Sequence, residues 1–217
     1  MFVVVFANGE FVPPPDLQAR LEAAELIIAA DGGASHLETL GRVPNVLVGD
    51  FDSLSTETAN HLKRKGVRVD KYPAAKEQTD LELALDHALR AGASEIAVLA
   101  GLGQRWDHSL ANLLLAAHPK YAGVQIQLVQ GEQRVHTLRG ANELKAKKGE
   151  RVSLIPISSD ALGVSTRNLL FPLNHETLYF GSSRGVSNIV VGDGAEVSIE
   201  SGVLLCIISP EDNGGSE

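Results

Sequence analysis

The stretch from Leu26 to Ser53 reads LIIAADGGASHLETLGRVPNVLVGDFDS. It opens on an apolar run, Leu26 to Ala30, that stops at Asp31-Gly32-Gly33, and it closes on the same arrangement, Val46 to Val48 running into Gly49-Asp50-Phe51-Asp52-Ser53. Short apolar, β-branched runs separated by segments of helical spacing belong to an α/β domain with a mainly parallel sheet, whose strands are buried on both faces. The same pattern extends outward. Phe2 to Phe6 precede the stretch, and Val67 to Tyr72, Glu95 to Ala100 and Val124 to Val129 follow it. Between them Thr79 to Ala91 predicts an amphipathic helix with Leu81, Leu85, Ala88 and Leu89 on one side, opened by the capping-box pair Thr79 and Glu82.

After Gly140 the helical spacing fades. Arg151 to Ile157, Thr177 to Phe180, Asn188 to Val191, Glu196 to Glu200 and Val203 to Ile208 read as strands, punctuated by Gly192-Asp193-Gly194 and Ser201-Gly202. This predicts antiparallel hairpins in an all-β sandwich or barrel. The expected organisation is an α/β domain over 1–140 and a β-sandwich domain over 141–217, joined near the polar segment Asn142 to Gly149. The Gly-Ser-Glu tail reads as disordered.

A chain of 217 residues with 44% hydrophobic content has room for one large core or two modest ones. No run approaches the roughly 20 apolar residues that span a bilayer, and Met1 to Ala7 lack a basic segment followed by a long apolar run. A soluble, unexported, cytoplasmic protein is expected. The single cysteine, Cys206, lies in an apolar run and reads as a buried structural thiol, in keeping with a reducing compartment. A formal charge of −8 argues against nucleic acid as a partner, and Lys63-Arg64-Lys65 reads as a solvated helix face. An acidic chain that handles polyphosphate needs divalent cations between its carboxylates and the ligand.

In open α/β sheets ligands bind beyond the carboxyl ends of the strands. Four expected strands end there in acidic or glycine-rich turns: the two already quoted, Lys76-Glu77-Gln78-Thr79-Asp80 after Tyr72, and Gly101-Leu102-Gly103-Gln104-Arg105-Trp106-Asp107-His108 after Ala100. Residues i and i+2 of an extended segment share a side, so Asp50 and Asp52 can present two carboxylates to magnesium, with nucleotide phosphates completing its shell. Alternatively, Asp50 caps a helix and Asp52 closes an Asx turn. Asp80 suits either the positive end of a helix dipole or a metal, and Thr79 a helix cap. Arg105 offers phosphate a bidentate fork just before the apolar helix His108 to Ala117. Taken singly, Trp106 reads as a core residue, His108 as a helix cap, and Arg105 with Asp107 as an ion pair.

Other signals fall away. The chain has neither a P-loop nor a G-x-G-x-x-G after its first strand. Gly181-Ser182-Ser183-Arg184-Gly185 matches G-x-S-x-G, but a strand rather than a helix follows, so it reads as a hairpin loop. The histidines form neither H-E-x-x-H nor a Cys/His cluster, which argues against zinc.

The order Asp31-Gly32-Gly33, Gly49-Asp50-Phe51-Asp52-Ser53, Thr79-Asp80, Arg105-x-Asp107-His108 and Ser187-Asn188 resembles the thiamine pyrophosphokinase family across nearly the whole chain. The resemblance implies an N-terminal α/β domain and a C-terminal β-sandwich, in a homodimer with thiamine bound between subunits. It also implies transfer of a pyrophosphoryl group from ATP to the thiamine hydroxyl, giving thiamine diphosphate and AMP. Carried over, Asp50, Asp52 and Asp80 resemble the family's magnesium and catalytic acids, with Glu77 where the family commonly has Asp. Asp31, Arg105 and Asp107 join them as catalytic residues. Gly32, Gly33, Thr79, Gly103, His108 and Asn112 correspond to the nucleotide-binding positions. Asp107, Phe171, Ser187 and Asn188 correspond to the thiamine site, with Phe171 where tryptophan or tyrosine is common, and Gln104 stands where glycine commonly precedes the arginine. The proton of the thiamine hydroxyl goes to Asp107 or Asp31. A related pyrophosphokinase acting on a hydroxymethylpterin and a nucleotide-binding module without turnover are the alternatives.

Overall fold

The structure is a computed structural model that describes residues 1–50, 62, 64–73 and 75–211. Phe51 to Ser53, Lys63 and the Gly-Ser-Glu tail, for which the sequence carried expectations, lie outside the described residues. The chain divides into two compact units, Met1–Gly131 and Glu132–Glu217.

Among the described residues of the first unit six strands form a parallel sheet: β1 (Phe2–Phe6), β2 (Leu26–Ala30), β3 (Val46–Gly49), β4 (Arg68–Lys71), β5 (Glu95–Leu99) and β6 (Gln125–Gln130). Helices among the described residues include α1 (Leu17–Ala23), α2 (Gly33–Thr39), α3 (Asp80–Arg90) and α4 (Trp106–Leu115), with a 3₁₀ turn at Pro119–Tyr121. The central strands are apolar at successive positions because both faces are covered. Val4, Phe6, Ala29, Leu47, Ala97 and Leu99 pack with Leu21 of α1 and Leu37 of α2. Val3, Val5, Ile28, Val48 and Val98 alternate with them and are equally buried, which requires cover on the other side, and α3 packs there on β1, β2 and β3 through its buried face of Leu81, Ala84, Leu85 and Ala88.

Strand order decides where a ligand can enter. Within the first unit it runs β6-β5-β1-β2-β3-β4. The chain builds from β1 out to β4, then returns to add β5 and β6 on the far side of β1, so the connections leaving β1 and β5 diverge. That divergence is a topological switch point, and it opens a crevice beyond the carboxyl ends of the strands.

The second unit holds two antiparallel sheets. One is β12 (Asn188–Ile189), β9 (Arg151–Pro156), β14 (Leu204–Ser209) and β7 (Gln133–Leu138), in that order. The other is β11 (Glu176–Leu178), β10 (Ala161–Arg167), β13 (Glu196–Ser198) and β8 (Ala141–Glu143). Leu138, Val152, Leu154, Leu204 and Cys206 from the first meet Ala161, Val164, Leu178 and Val197 from the second in one core, which makes the unit a β-sandwich. The thiol of Cys206 is fully buried, and burial pushes its pKa up to about 12. Gly181 to Gly185 form turns, not a strand-to-helix elbow, and β12 follows.

Candidate functional site

At the switch point of the first unit lies a cleft of about 640 Å³. Its walls come from the segment after β1 (Asn8, Gly9, Glu10), Asp31 after β2, Asp50 just after β3, Lys76 and Gln78 to Asp80 at the start of α3, and the Gly101 to Arg105 loop with His108, Ser109 and Asn112 of α4. The segments that follow β1, β2, β3 and β5 thus all contribute residues to one opening.

Local backbone chemistry sets the walls. Asp31 has φ 45° and Ala100 φ 53°, left-handed values that cost a non-glycine residue free energy, and both follow the last residue of a strand at the cleft. The Asp31 amide still donates to the Val48 carbonyl at 2.7 Å, so the ladder between β2 and β3 reaches the carboxylate-bearing residue itself. Gly9 is required by close approach: a Cβ there would stand 2.4 Å from the Leu102 carbonyl oxygen and 2.5 Å from that of Ala100. Across the opening the Asn112 amide donates to the Gly101 carbonyl at 2.6 Å, while the Ser109 hydroxyl accepts from the Gly103 amide and donates to its carbonyl, each at 3.0 Å. The glycine loop is therefore shaped by α4.

The electrostatics are those of an acidic wall with the Lys76 ammonium set against it. Burial raises the Asp31 carboxyl above its ordinary value; the Gly32 amide opposes this, while the charges of Asp80 and Asp50 add to the rise. Lys76 Nζ lies 2.5 Å from Asp80 Oδ1. Asn8 Nδ2 stands 3.5 Å from Asp31 Oδ2, at the limit of a hydrogen bond. Arg105 grips Asp107 through two donors, at 2.6 and 3.3 Å, in open solvent. That pairing, led by the Arg105 hydrogen bond, holds the Asp107 carboxyl below its ordinary value.

The cleft thus gathers Asp31, Asp50, Thr79, Asp80, Gly103, Arg105, His108 and Asn112. Asp52 lies outside the described residues. Gly32 and Gly33 do not line the cleft. Gly33 opens α2 where a Cβ would stand 2.1 Å from the Phe6 carbonyl oxygen, and a Cβ on Gly32 would meet the Asn8 amide, so both serve close packing. Glu77 is exposed outside the lining residues. Asp107 is turned onto Arg105, as the ion-pair reading expected. Two single-residue readings are corrected. Trp106 is 87% exposed and not core, and Arg105, not His108, holds the N-cap position of α4. In the second unit Asn188 Oδ1 accepts from the Phe171 amide at 3.0 Å and its Nδ2 donates to the Phe171 carbonyl at 2.7 Å. Ser187, at φ 62°, donates its amide to Ser153 Oγ. Phe171 is therefore held at its backbone while its ring is 65% exposed.

Sequence reasoning passed over Lys76, Asn8 and Ser109. The spacing of Lys76 four residues before Asp80 was a usable signal. So was Asn8, which follows β1 just as the acids follow β2 and β3.

Among the described residues no group of three or more His, Cys, Asp or Glu side chains stands ready to hold a metal ion. The donor chemistry nonetheless suits a hard cation. Asp31, Asp50 and Asp80 supply oxygen alone, the charges of Asp80 and Asp50 add to the rise that burial imposes on the Asp31 carboxyl, and a nucleotide would bring further oxygen ligands.

Comparison with known proteins agrees with this geometry. The family model described as thiamin pyrophosphokinase, catalytic domain, matches residues 17–128, and that described as thiamin pyrophosphokinase, vitamin B1 binding domain, matches residues 135–204. A thiamine pyrophosphokinase of Bacillus subtilis is 29% identical over 209 residues, covering 95% of this chain and 98% of that protein. The crystal structure of thiamine pyrophosphokinase from Bacillus subtilis superposes with a TM-score of 0.84 at 28% identity, covering 97% of this chain and 99% of that one. The Geobacillus thermodenitrificans structure gives 0.81 at 28% identity, over 98% and 99%.

Proposed function

Because the chain belongs to the thiamin pyrophosphokinase family, we propose that it transfers the pyrophosphoryl group of ATP to the hydroxyl of thiamine, giving thiamine diphosphate and AMP. The observation that carries this reading is the switch-point cleft, with Asp31, Asp50 and Asp80 on one wall and the glycine loop ending at Arg105 on the other. An acidic wall facing a loop of backbone amides and a guanidinium suits a metal-bound polyphosphate better than an uncharged ligand.

In the reaction the thiamine oxygen bonds to the β-phosphorus, the bond from that phosphorus to the oxygen bridging to the α-phosphorus breaks, and AMP leaves with the bridging oxygen. Positioning and charge neutralisation supply most of the acceleration for such a transfer. Asp50, Asp80 and Asp52 would hold magnesium, which supplies charge neutralisation at the phosphate oxygens. Glu77 is left out of that set, since it is exposed away from the cleft. Arg105 exchanges Asp107 for phosphate, an exchange made easy because their ion pair is exposed. Asp31 takes the hydroxyl proton. It lines the cleft and burial makes it the stronger base, whereas Asp107 is engaged by Arg105 outside the lining residues.

Thiamine is received by Phe171, Ser187 and Asn188, the exposed ring stacking on the pyrimidine while Asn188 fixes its backbone. A homodimer is part of the proposal. Its support is the row Trp106, Leu110 and Leu114 on one face of α4, exposed by 87%, 59% and 44%. No helix among the described residues is long and apolar enough to cross a membrane, and the single, buried cysteine supports a cytoplasmic location.

Incubation with ATP, magnesium and thiamine, followed by mass spectrometry, should show AMP and thiamine diphosphate forming in equal amounts. Asp80→Asn should slow both about a hundredfold or more. Nucleotide binding without AMP would sink the reading in favour of a binding module, and product formed only from a hydroxymethylpterin would replace the acceptor.

A further inference from the structure

The cleft that carries Asp31, Asp50 and Asp80 also carries Lys76. Its Nζ stands 2.5 Å from Asp80 Oδ1, and the side chains are only 13% and 29% exposed. A charge-assisted contact so short and so little screened by solvent is stronger than a surface ion pair. The ammonium also acts on Asp31, where it opposes the effect of Asp80 and Asp50. Lysine presents a compact, point-like charge on a flexible stem, so it can both imitate a small cation and move aside.

We propose that Lys76 is a positioning residue that serves as the resident counter-ion of Asp80, competing with the divalent cation for that carboxylate until a nucleotide triphosphate offers the ammonium another anion. The inference rests on the reading of Asp80 as a metal ligand. It explains why three carboxylates can share one wall before any ligand arrives: the lysine offsets part of their repulsion. Its consequence is an order of events. Metal alone binds weakly, because it must break the contact with Lys76, while metal with nucleotide binds well, because the phosphates compensate both charges.

A purely structural ion pair at the start of α3 makes the opposite prediction, since its loss would lower stability without improving metal binding. The test is titration of the nucleotide-free full chain with Mn²⁺ alone, counting free ion by electron paramagnetic resonance, with Lys76→Met and Lys76→Arg alongside. If the ammonium occupies Asp80 in about nine molecules of ten, Lys76→Met should bind Mn²⁺ about tenfold more tightly than the unmodified chain. Lys76→Arg, which keeps the charge, should stay weak. A non-hydrolysable ATP analogue should close most of the gap. Equal or weaker Mn²⁺ affinity in Lys76→Met, with native circular dichroism, overturns the inference, and Lys76→Gln repeats the comparison if the methionine variant does not fold. Failure of every variant to bind Mn²⁺ even with the analogue is a different result: it removes the metal reading of the cleft, and this inference with it.

Discussion

His136 and Cys206 face each other across β7 and β14, and burial governs the titration of both. His136 Nδ1 is buried without a hydrogen-bond partner. Burial first, then the charges of Arg134 and Lys145, hold its pKa down to about 4, against an ordinary 6.5. Between those values the unfolded chain binds a proton that the folded chain refuses, so stability is full above the upper value and declines as pH falls toward the lower. The loss should reach about 3 kcal/mol. Urea unfolding at neutral and mildly acidic pH should show His136→Gln losing less stability than the unmodified chain; parallel pH slopes would refute the assignment. Single residues were unevenly legible in the sequence. Asp31, Asp50 and Asp80 could be read because an acid at the carboxyl end of a strand has a positional meaning. Trp106 could not, because apolarity predicts burial only one way: an aromatic residue at a helix start can face solvent.

The start of α3 carries the first unit's element-scale chemistry. Thr79 Oγ1 accepts from the Glu82 amide at 3.2 Å, so the expected cap forms. Glu82 itself turns away, accepting from Gln78 at 2.9 Å and Lys120 at 3.3 Å. One turn on, Asp86 takes Lys120 at 2.7 Å, the Tyr121 hydroxyl at 2.7 Å and Gln78 at 3.0 Å. Burial alone would raise the Asp86 carboxyl, but these partners together hold it below its ordinary value. The 3₁₀ turn at Pro119–Tyr121 is thereby tied to α3, and through Gln78 to the edge of the cleft. Thr79→Ala should cost about 1 kcal/mol of stability as a lost cap. Tyr121→Phe should cost about 1 to 2 kcal/mol, since Asp86 loses a partner without losing its burial. Denaturant titration measures both, and a neutral Tyr121→Phe would show that the network does not hold α3. The periodicity found β1 and β2 end to end because their apolar runs are bounded by turn residues. It missed β7, whose Gln-Arg-Val-His-Thr-Leu mixes charge into a strand, and β10, where Gly163 at φ 62° and a register shift between Ala161 and Val164 interrupt the alternation.

For the whole molecule, the parallel sheet of the first unit and the antiparallel, all-β character of the second were both legible as classes, because a change from helical to two-residue spacing is a change in how layers are covered. The strand order was not. The return of the chain to β5 on the far side of β1 leaves no mark in local sequence, yet it creates the cleft in which the strand-end acids meet. The division at Gly131 falls ahead of the lysine-rich segment on which composition had drawn attention, since the polar strands β7 and β8 join the second unit. The most direct test of the central claim is to supply ATP labelled at the β-phosphorus, with magnesium and thiamine, and to follow the label. Attack at that phosphorus predicts labelled thiamine diphosphate beside unlabelled AMP. Label retained in ADP, with thiamine monophosphate as the product, would contradict it.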